Sequence, residues 1–244
     1  MIYCAKSDRG KLRSNNEDTF YAPESKEEPL FFMVADGMGG HKAGEVASRL
    51  AVEEISSYIK AKFDAPSFRD DMTALIREAF LVANEKIYKN SLESDKLAGM
   101  GTTATLALFK DGMLYIGHVG DSRAYLLREG SLKQLTKDHS LVWQLMEEGR
   151  LTAEEMRYHP MRNVITRALG AYENVIVDVS THEYMKGDIF LLCSDGLTNM
   201  LEDEKIKEII LKSGSIETAA DGLVQAANDR GGYDNITVVL ILVE

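Results

Sequence analysis

Cysteine is almost absent: Cys4 and Cys193 are the only two in 244 residues. Two thiols cannot build a disulfide framework, which excludes a small stapled secreted scaffold. Cys193 ends the apolar run Ile189-Phe190-Leu191-Leu192 and reads as a buried, reduced thiol. Proline is scarce at 4 and glycine common at 19, so turns rest on glycine. Positive charge is in the minority, with 28 Lys and Arg against 39 Asp and Glu, a net charge of -11. That disfavours nucleic-acid binding by phosphate neutralisation. It also means that an anionic substrate would need a local attraction stronger than the bulk charge. Long apolar runs are missing as well. The longest, Ile236 to Val243, is too short to cross a bilayer. Met1-Ile2-Tyr3-Cys4-Ala5-Lys6 holds no signal-peptide core, so a cytoplasmic protein without a membrane anchor is expected.

No Pro/Ser-rich linker, low-complexity run or fixed-period repeat divides the chain, which reads as one domain over 1–244. Val46, Leu50, Ala51, Ile55, Tyr58 and Ile59 recur at helical spacing, and so do Met72, Leu75, Ile76, Ala79, Phe80, Ala83 and Ile87. These predict two long consecutive amphipathic helices. Strand-like stretches follow at Thr102 to Phe109, Met113 to Val119 and Ser122 to Leu127. Asp111-Gly112, Gly120-Asp121 and Glu129-Gly130 punctuate them. Such tight connections predict an antiparallel meander, not a doubly wound parallel sheet. Residues 138–162 carry the only tryptophan, Trp143, and a capping box at Thr152 and Glu155, which predicts a short helical excursion on the sheet rim. Strands are expected again at Val175 to Val179 and Ile189 to Cys193, helices at 202–212 and 216–228, and a closing strand at Ile236 to Val243. Antiparallel strands with segregated helices define the α+β class.

The acids fall in a pattern. Phe31 to Ala35 is a buried-type strand that runs into Asp36-Gly37, and Ile189 to Cys193 runs through Ser194 into Asp195-Gly196. Tyr115 to Val119 ends at Gly120-Asp121, and Gly231-Gly232-Tyr233-Asp234-Asn235 opens the last strand. Ordinary turn chemistry accounts for Asp111-Gly112, and Asp221 lies inside a helical pattern. Asp36, Asp121, Asp195 and Asp234 are different. Carboxylates gathered at one edge of a core repel one another unless cations sit among them, and all-oxygen cages suit magnesium or manganese. On spacing alone, a metal site and a set of turn acids remain equal alternatives. Gly37-Met38-Gly39-Gly40 lets backbone approach a ligand, with His41 just beyond as a candidate general acid. Arg13, just before Asn15-Asn16-Glu17-Asp18, could hold a phosphate bidentately, though alone it reads as a surface charge. There is no phosphate-binding Gly-x-x-x-x-Gly-Lys loop, no Gly-x-Ser-x-Gly elbow and no Cys-x5-Arg loop.

Eight blocks in order resemble the bacterial branch of the metal-dependent PPM/PP2C serine/threonine phosphatases. They are Arg13-Ser14-Asn15-Asn16-Glu17-Asp18, Val34-Ala35-Asp36-Gly37-Met38-Gly39-Gly40-His41 and Gly99-Met100-Gly101-Thr102-Thr103. Then come His118-Val119-Gly120-Asp121-Ser122-Arg123, Leu135-Thr136-Lys137-Asp138-His139-Ser140 and Asn163-Val164-Ile165-Thr166-Arg167-Ala168-Leu169-Gly170. Leu192-Cys193-Ser194-Asp195-Gly196-Leu197 and Gly231-Gly232-Tyr233-Asp234-Asn235-Ile236-Thr237 complete the set. The resemblance implies a four-layer α-β-β-α sandwich of two antiparallel sheets flanked by antiparallel helix pairs. It implies two or three Mn2+ or Mg2+ ions. Asp36 would bridge two of them, Asp195 and Asp234 would complete the first, and the Gly37 carbonyl would serve the second. Glu17 and Asp18 would hold waters on the second ion, and Asp121 with Asp195 would take a third. Arg13 would bind the substrate phosphate, His41 would protonate the leaving group, and 138–162 would form a flap.

The implied reaction is one-step hydrolysis of phosphoserine or phosphothreonine on proteins by a metal-bridging water of lowered pKa. The implied partners are a eukaryotic-type Ser/Thr kinase and its targets. Bound divalent ions would also supply the local positive pole that the net charge lacks. Three rival readings are a phosphoprotein-binding sensor without turnover, a hydrolase of small phosphate esters, and a regulator phosphatase of an anti-sigma pathway. A complete acid set argues against the first. A monomer is expected, since no heptad or exposed apolar stripe stands out.

Overall fold

In the computed structural model of the chain, residues 1–25, 29–39 and 43–244 are described. Phe31, Phe32, Met33, Val34 and Ala35 are all fully buried. Successive strand side chains point to opposite faces, so a strand buried on both faces must lie between two apolar layers. Strand β3 (Phe31–Met38) does this. Phe31, Met33 and Ala35 face helices α1 (Ala43–Lys62) and α2 (Met72–Glu93), while Phe32 and Val34 face a second sheet.

One sheet runs in the order β2 (Asp18–Tyr21), β3, β5 (Ala104–Lys110), β6 (Met113–Val119) and β9 (Asp178–Glu183), with the short β4 (Gly101–Thr102) on β3. The other runs β1 (Ile2–Asp8), β11 (Ile236–Leu242), β10 (Ile189–Cys193), β7 (Arg123–Arg128) and β8 (Ser131–Gln134). All pairings are antiparallel. Between the sheets, Phe32, Phe109 and Phe190 make edge-to-face contacts at 6.0 and 5.4 Å, with Val34, Ile116, Leu192 and Val239 around them. The outer face of the second sheet buries Tyr125, Leu191, Val238 and Leu240 under α5 (Asp195–Thr198), α6 (Asp203–Lys212) and α7 (Ile216–Asp229). Three apolar layers therefore hold four structural layers together, the α-β-β-α order that the resemblance implies.

Caps follow the local sequence. Asp71 accepts from the Ala74 N–H at 2.9 Å to start α2, and Ser215 with Thr218 forms a capping box at α7. The Thr152–Glu155 capping box expected from sequence opens α4 (Ala153–Tyr158), which follows α3 (Leu141–Glu147) within the 138–162 excursion.

Two expectations need correction. The meander does not extend across three strands. β5 and β6 form a hairpin at Asp111-Gly112, with φ of 50° and 79°, and β7 and β8 form another at Glu129-Gly130, with φ of 51° and 77°. At Gly120-Asp121, however, the chain leaves one sheet for the other, so β6 and β7 are not neighbours. Gly120 takes φ of 112°, far from the mirror-image turn geometry that would return the strand beside β6. The strand expected at Val175 to Val179 begins instead at Asp178, opposite His118 of β6. Before that point the carbonyls are claimed by helix α2: Asn84 donates to Tyr172 and Glu173, and Arg77 donates to Val177 at 2.7 Å.

Candidate active site

The strands of both sheets end in acids at one edge of the sandwich. β3 carries Asp36, and β2 opens with Asp18 directly opposite it in register. β6 runs into Asp121, β10 into Asp195, and Asp234 precedes β11. The field at Asp36 shows how closely they gather. Burial raises its carboxyl well above the ordinary range, and the charges of Asp18, Asp195, Asp121 and Asp234 add to the effect. Burial likewise lifts Asp18 to about 7, with Asp195 and Asp234 adding to it against hydrogen bonds from Thr237 and Ser194. Asp195 rises to about 6 through burial and the Asp234 charge, opposed by hydrogen bonds with Asp36 and Asn199. Burial, then Asp195 and Asp138, raises Asp121 well above its ordinary value. Burial also raises Glu17, with Arg13 acting in the opposite sense.

Polar neighbours fix each acid. Ser194 Oγ donates to Asp18 Oδ2 at 2.7 Å and itself accepts the Thr237 N–H at 2.9 Å, which ties β2 to the second sheet. Asn199 Nδ2 donates to Asp195 Oδ2 at 3.0 Å. The Asp36 N–H donates to Thr103 Oγ1 at 2.9 Å, and Thr102 Oγ1 donates to the Asp36 carbonyl at 2.9 Å. Arg13 Nη2 donates to Asp234 Oδ2 at 2.6 Å, with its side chain 52% exposed at the mouth. Gly37 must be glycine, because a Cβ there would lie 2.1 Å from the Gly44 carbonyl and 2.7 Å from that of Glu17. Its N–H donates to the Glu17 carbonyl at 3.1 Å, so the acid loop is locked to β3.

Do these residues suit divalent ions? Asp18 Oδ1, Asp121 Oδ1 and Asp195 Oδ1 are all buried without a hydrogen-bond partner. Orphaned carboxylate oxygens in a low-dielectric edge are costly, and hard cations are the natural complement of such a set. Among the described residues, no three His, Cys, Asp or Glu side chains are already drawn around one point to cage an ion. The unpartnered Oδ1 atoms leave acceptor capacity unmet, and that fits ions bound partly through water.

Sequence reasoning singled out Arg13, Glu17, Asp18, Asp36, Gly37, Asp121, Asp195 and Asp234, and the fold brings them to one edge. His41, like Gly40, lies outside the described residues. Sequence reasoning missed the organiser of the loop. Asn235 is 5% exposed and accepts from the Glu17 N–H at 2.8 Å. Its amide donates to the Arg9 and Asn15 carbonyls, each at 2.9 Å. An asparagine wedged between an acid and a strand is the signal that could have revealed it, since an amide accepts through its oxygen and donates two hydrogen bonds through its nitrogen at one site. Thr103, at the break between β4 and β5, likewise carries no role that the sequence pattern reveals.

The family model described as "Protein phosphatase 2C" matches residues 6–236. The chain is 39% identical over 236 residues to the serine/threonine phosphatase stp of Listeria monocytogenes, covering 97% of this chain and 93% of that protein. The solved structure of serine/threonine phosphatase Stp1 from Staphylococcus aureus superposes with a TM-score of 0.92 at 36% identity, covering 99% of this chain and 94% of that one. The catalytic domain of the serine/threonine protein phosphatase PstP, solved with two manganese ions, superposes with a TM-score of 0.87 at 40% identity, covering 100% and 98%. Among the described residues no helix is long and apolar enough to cross a membrane.

Proposed function

We propose, for a chain that belongs to the protein phosphatase 2C family and is a serine/threonine protein phosphatase, that the acid edge described above is its catalytic metal centre. Asp36, Asp195 and Asp234 would hold one ion. Asp36 and the Gly37 carbonyl would hold a second, with Glu17 and Asp18 acting through waters. Asp121 with Asp195 would take a third. Manganese or magnesium fits this oxygen set. When bound, the ions supply a water of lowered pKa as nucleophile and positive charge opposite the phosphoryl oxygens. The observation that carries the reading is the row of buried, unpartnered Oδ1 atoms of Asp18, Asp121 and Asp195.

The protein's own residues do the rest. Arg13 stands half exposed at the mouth with a planar fork suited to two phosphate oxygens. Its bond to Asp234 holds it beside the acids before substrate arrives. His41 is assigned as the proton donor to the leaving serine or threonine oxygen, on the motif alone. Residues 138–162, with α3 and α4, act as a flap over the substrate. The substrates are phosphorylated proteins, and we assign them to a eukaryotic-type kinase and its targets, met in the cytoplasm by a monomer.

Phosphate release from a phosphothreonine peptide, measured with manganese, with magnesium and with chelator, tests the centre. Metal-dependent release that is lost in Asp195→Ala, with far-ultraviolet circular dichroism unchanged, is expected. Near-normal release in Asp36→Ala and Asp195→Ala at saturating manganese overturns the assignment.

A further inference from the structure

His139 is 5% exposed, at the point where the chain leaves β8 for α3 and α4. Each of its polar groups is engaged. Its N–H donates to the Gly120 carbonyl at 2.7 Å, and its carbonyl accepts from the Thr166 N–H at 2.7 Å. Ring Nδ1 accepts from the Gly120 N–H at 3.0 Å. Ring Nε2 meets Asp178 Oδ2 at 3.1 Å and Arg167 Nη1 at 3.0 Å. Gly120 thus gives both of its backbone polar groups to one residue. Since Nδ1 accepts, the neutral ring carries its proton on Nε2, directed at Asp178; this tautomer is inferred from the bonding pattern. Arg167 is then held by Asp178 Oδ1 at 2.7 Å rather than by the ring.

The opposite side of the same turn is closed by Thr103. A Cβ on Gly120 would lie 2.5 Å from the Thr103 side chain. Thr103 Oγ1 in turn holds the Asp36 N–H and lies 2.8 Å from Ser122 Oγ. Asp121 therefore sits on a turn gripped between His139 and Thr103. Its own Oδ1 has no hydrogen-bond partner, so no hydrogen bond to that oxygen fixes it apart from the turn that carries it. The same histidine ties both ends of the segment between 139 and 166 to that turn.

We propose that His139 is a positioning residue for the phosphatase reaction. Through the two backbone bonds to Gly120 it sets the place of the Asp121 carboxylate, and it joins that carboxylate to the base of the α3–α4 segment. The inference rests on the assignment of Asp121 to the metal centre made above.

The test uses the whole chain and compares His139→Asn, His139→Gln, His139→Ala and Asp121→Asn. Asparagine places its amide oxygen near Nδ1 and keeps an acceptor for Gly120. Glutamine reaches the Nε2 position and leaves the Gly120 N–H unpaired. Manganese binding by calorimetry is the first readout, and the manganese requirement for phosphate release is the second. Partners one step behind a metal ligand shift affinity about 10- to 100-fold, so His139→Gln and His139→Ala should weaken the third manganese site, the one assigned to Asp121, about tenfold, with His139→Asn within about threefold of wild type. The lost release should return at saturating manganese, which a merely destabilised fold would not show. Equal weakening in the Asn and Gln variants overturns the inference. So does unchanged affinity in the Gln and Ala variants when Asp121→Asn weakens it. Unchanged affinity in Asp121→Asn overturns the placement of Asp121 itself, and the inference with it.

Discussion

Asp18→Asn should make the metal-free protein more stable at neutral pH. Burial and the neighbouring acids lift the Asp18 carboxyl from the ordinary 3.8 to about 7. Its folded-state value is therefore raised. Between about pH 4 and 7 the folded chain keeps a proton that the unfolded chain gives up, so stability falls as pH rises through this window. Each pH unit of that gap corresponds to about 1.4 kcal/mol, which sets a ceiling of about 4 kcal/mol. The residue as a whole is only half-buried although Oδ1 is not exposed, and the new amide N–H2 would take the place of an oxygen with no partner. Together these reduce the expected gain to about 2 kcal/mol at pH 8. For a chain of this size that is a rise of about 4–8 °C in Tm. Ser194 can still donate to the amide oxygen, so its bond survives. The assay is thermal unfolding in chelator at pH 5 and pH 8, with variant and wild type side by side. The comparison cancels groups that titrate alike in both, such as buried His118, whose value burial, and then His139, pushes down to about 3. The gap should open between the two pH values and reverse with saturating manganese. A variant no more stable than wild type at pH 8, or a gap equal at both pH values, refutes the reasoning.

Asn235→Ala removes one acceptor and two donors from a buried site, so a loss of about 2–4 kcal/mol is expected, read as a lowered denaturant midpoint. Thr103→Val keeps the shape but strands the Asp36 N–H. It should cost about 1–3 kcal/mol in urea unfolding and lower kcat more than it raises KM. Arg13→Lys replaces a fork by a point charge, and about a tenfold rise in KM for a phosphopeptide, with kcat changed less, is expected from steady-state kinetics.

Most of the layered architecture was legible because the relevant residues obey a simple period. Phe31 to Ala35 reads as a buried-type strand, and the 3.6-residue spacing of Ile55, Ile59, Leu75, Ile76 and Phe80 reads as two amphipathic helices. β1 and β2 gave no such signal. Among the described residues β1 is a half-exposed edge strand paired with β11 alone, and β2 is four residues long and begins with the candidate site acid Asp18. The switch between sheets at Gly120 was hidden for another reason. A Gly-Asp pair between two strands looks the same whether the chain returns or crosses over, and the contacts of Gly120 with Thr103 and His139 come from residues distant in the pattern or beyond the next strand. The acids were visible as residues that should not cluster. Their supports were not, because Asn235, Ser194 and Thr103 gain meaning only when strands distant in the chain are brought together.

β11, the last strand in chain order, lies inside its sheet between β1 and β10, with Cys4 paired to Leu240 across the whole length of the fold. Such pairing is slow to form, because an ordered loop of nearly the entire polypeptide must close first. A polypeptide emerging from the ribosome exposes Asp36 long before Asp234 and the strand that carries it into place exist. With the metal centre proposed above, a chain not yet extended through β11 lacks Asp234 and would release no phosphate, so activity would wait for the final strand to take its place between its two neighbours.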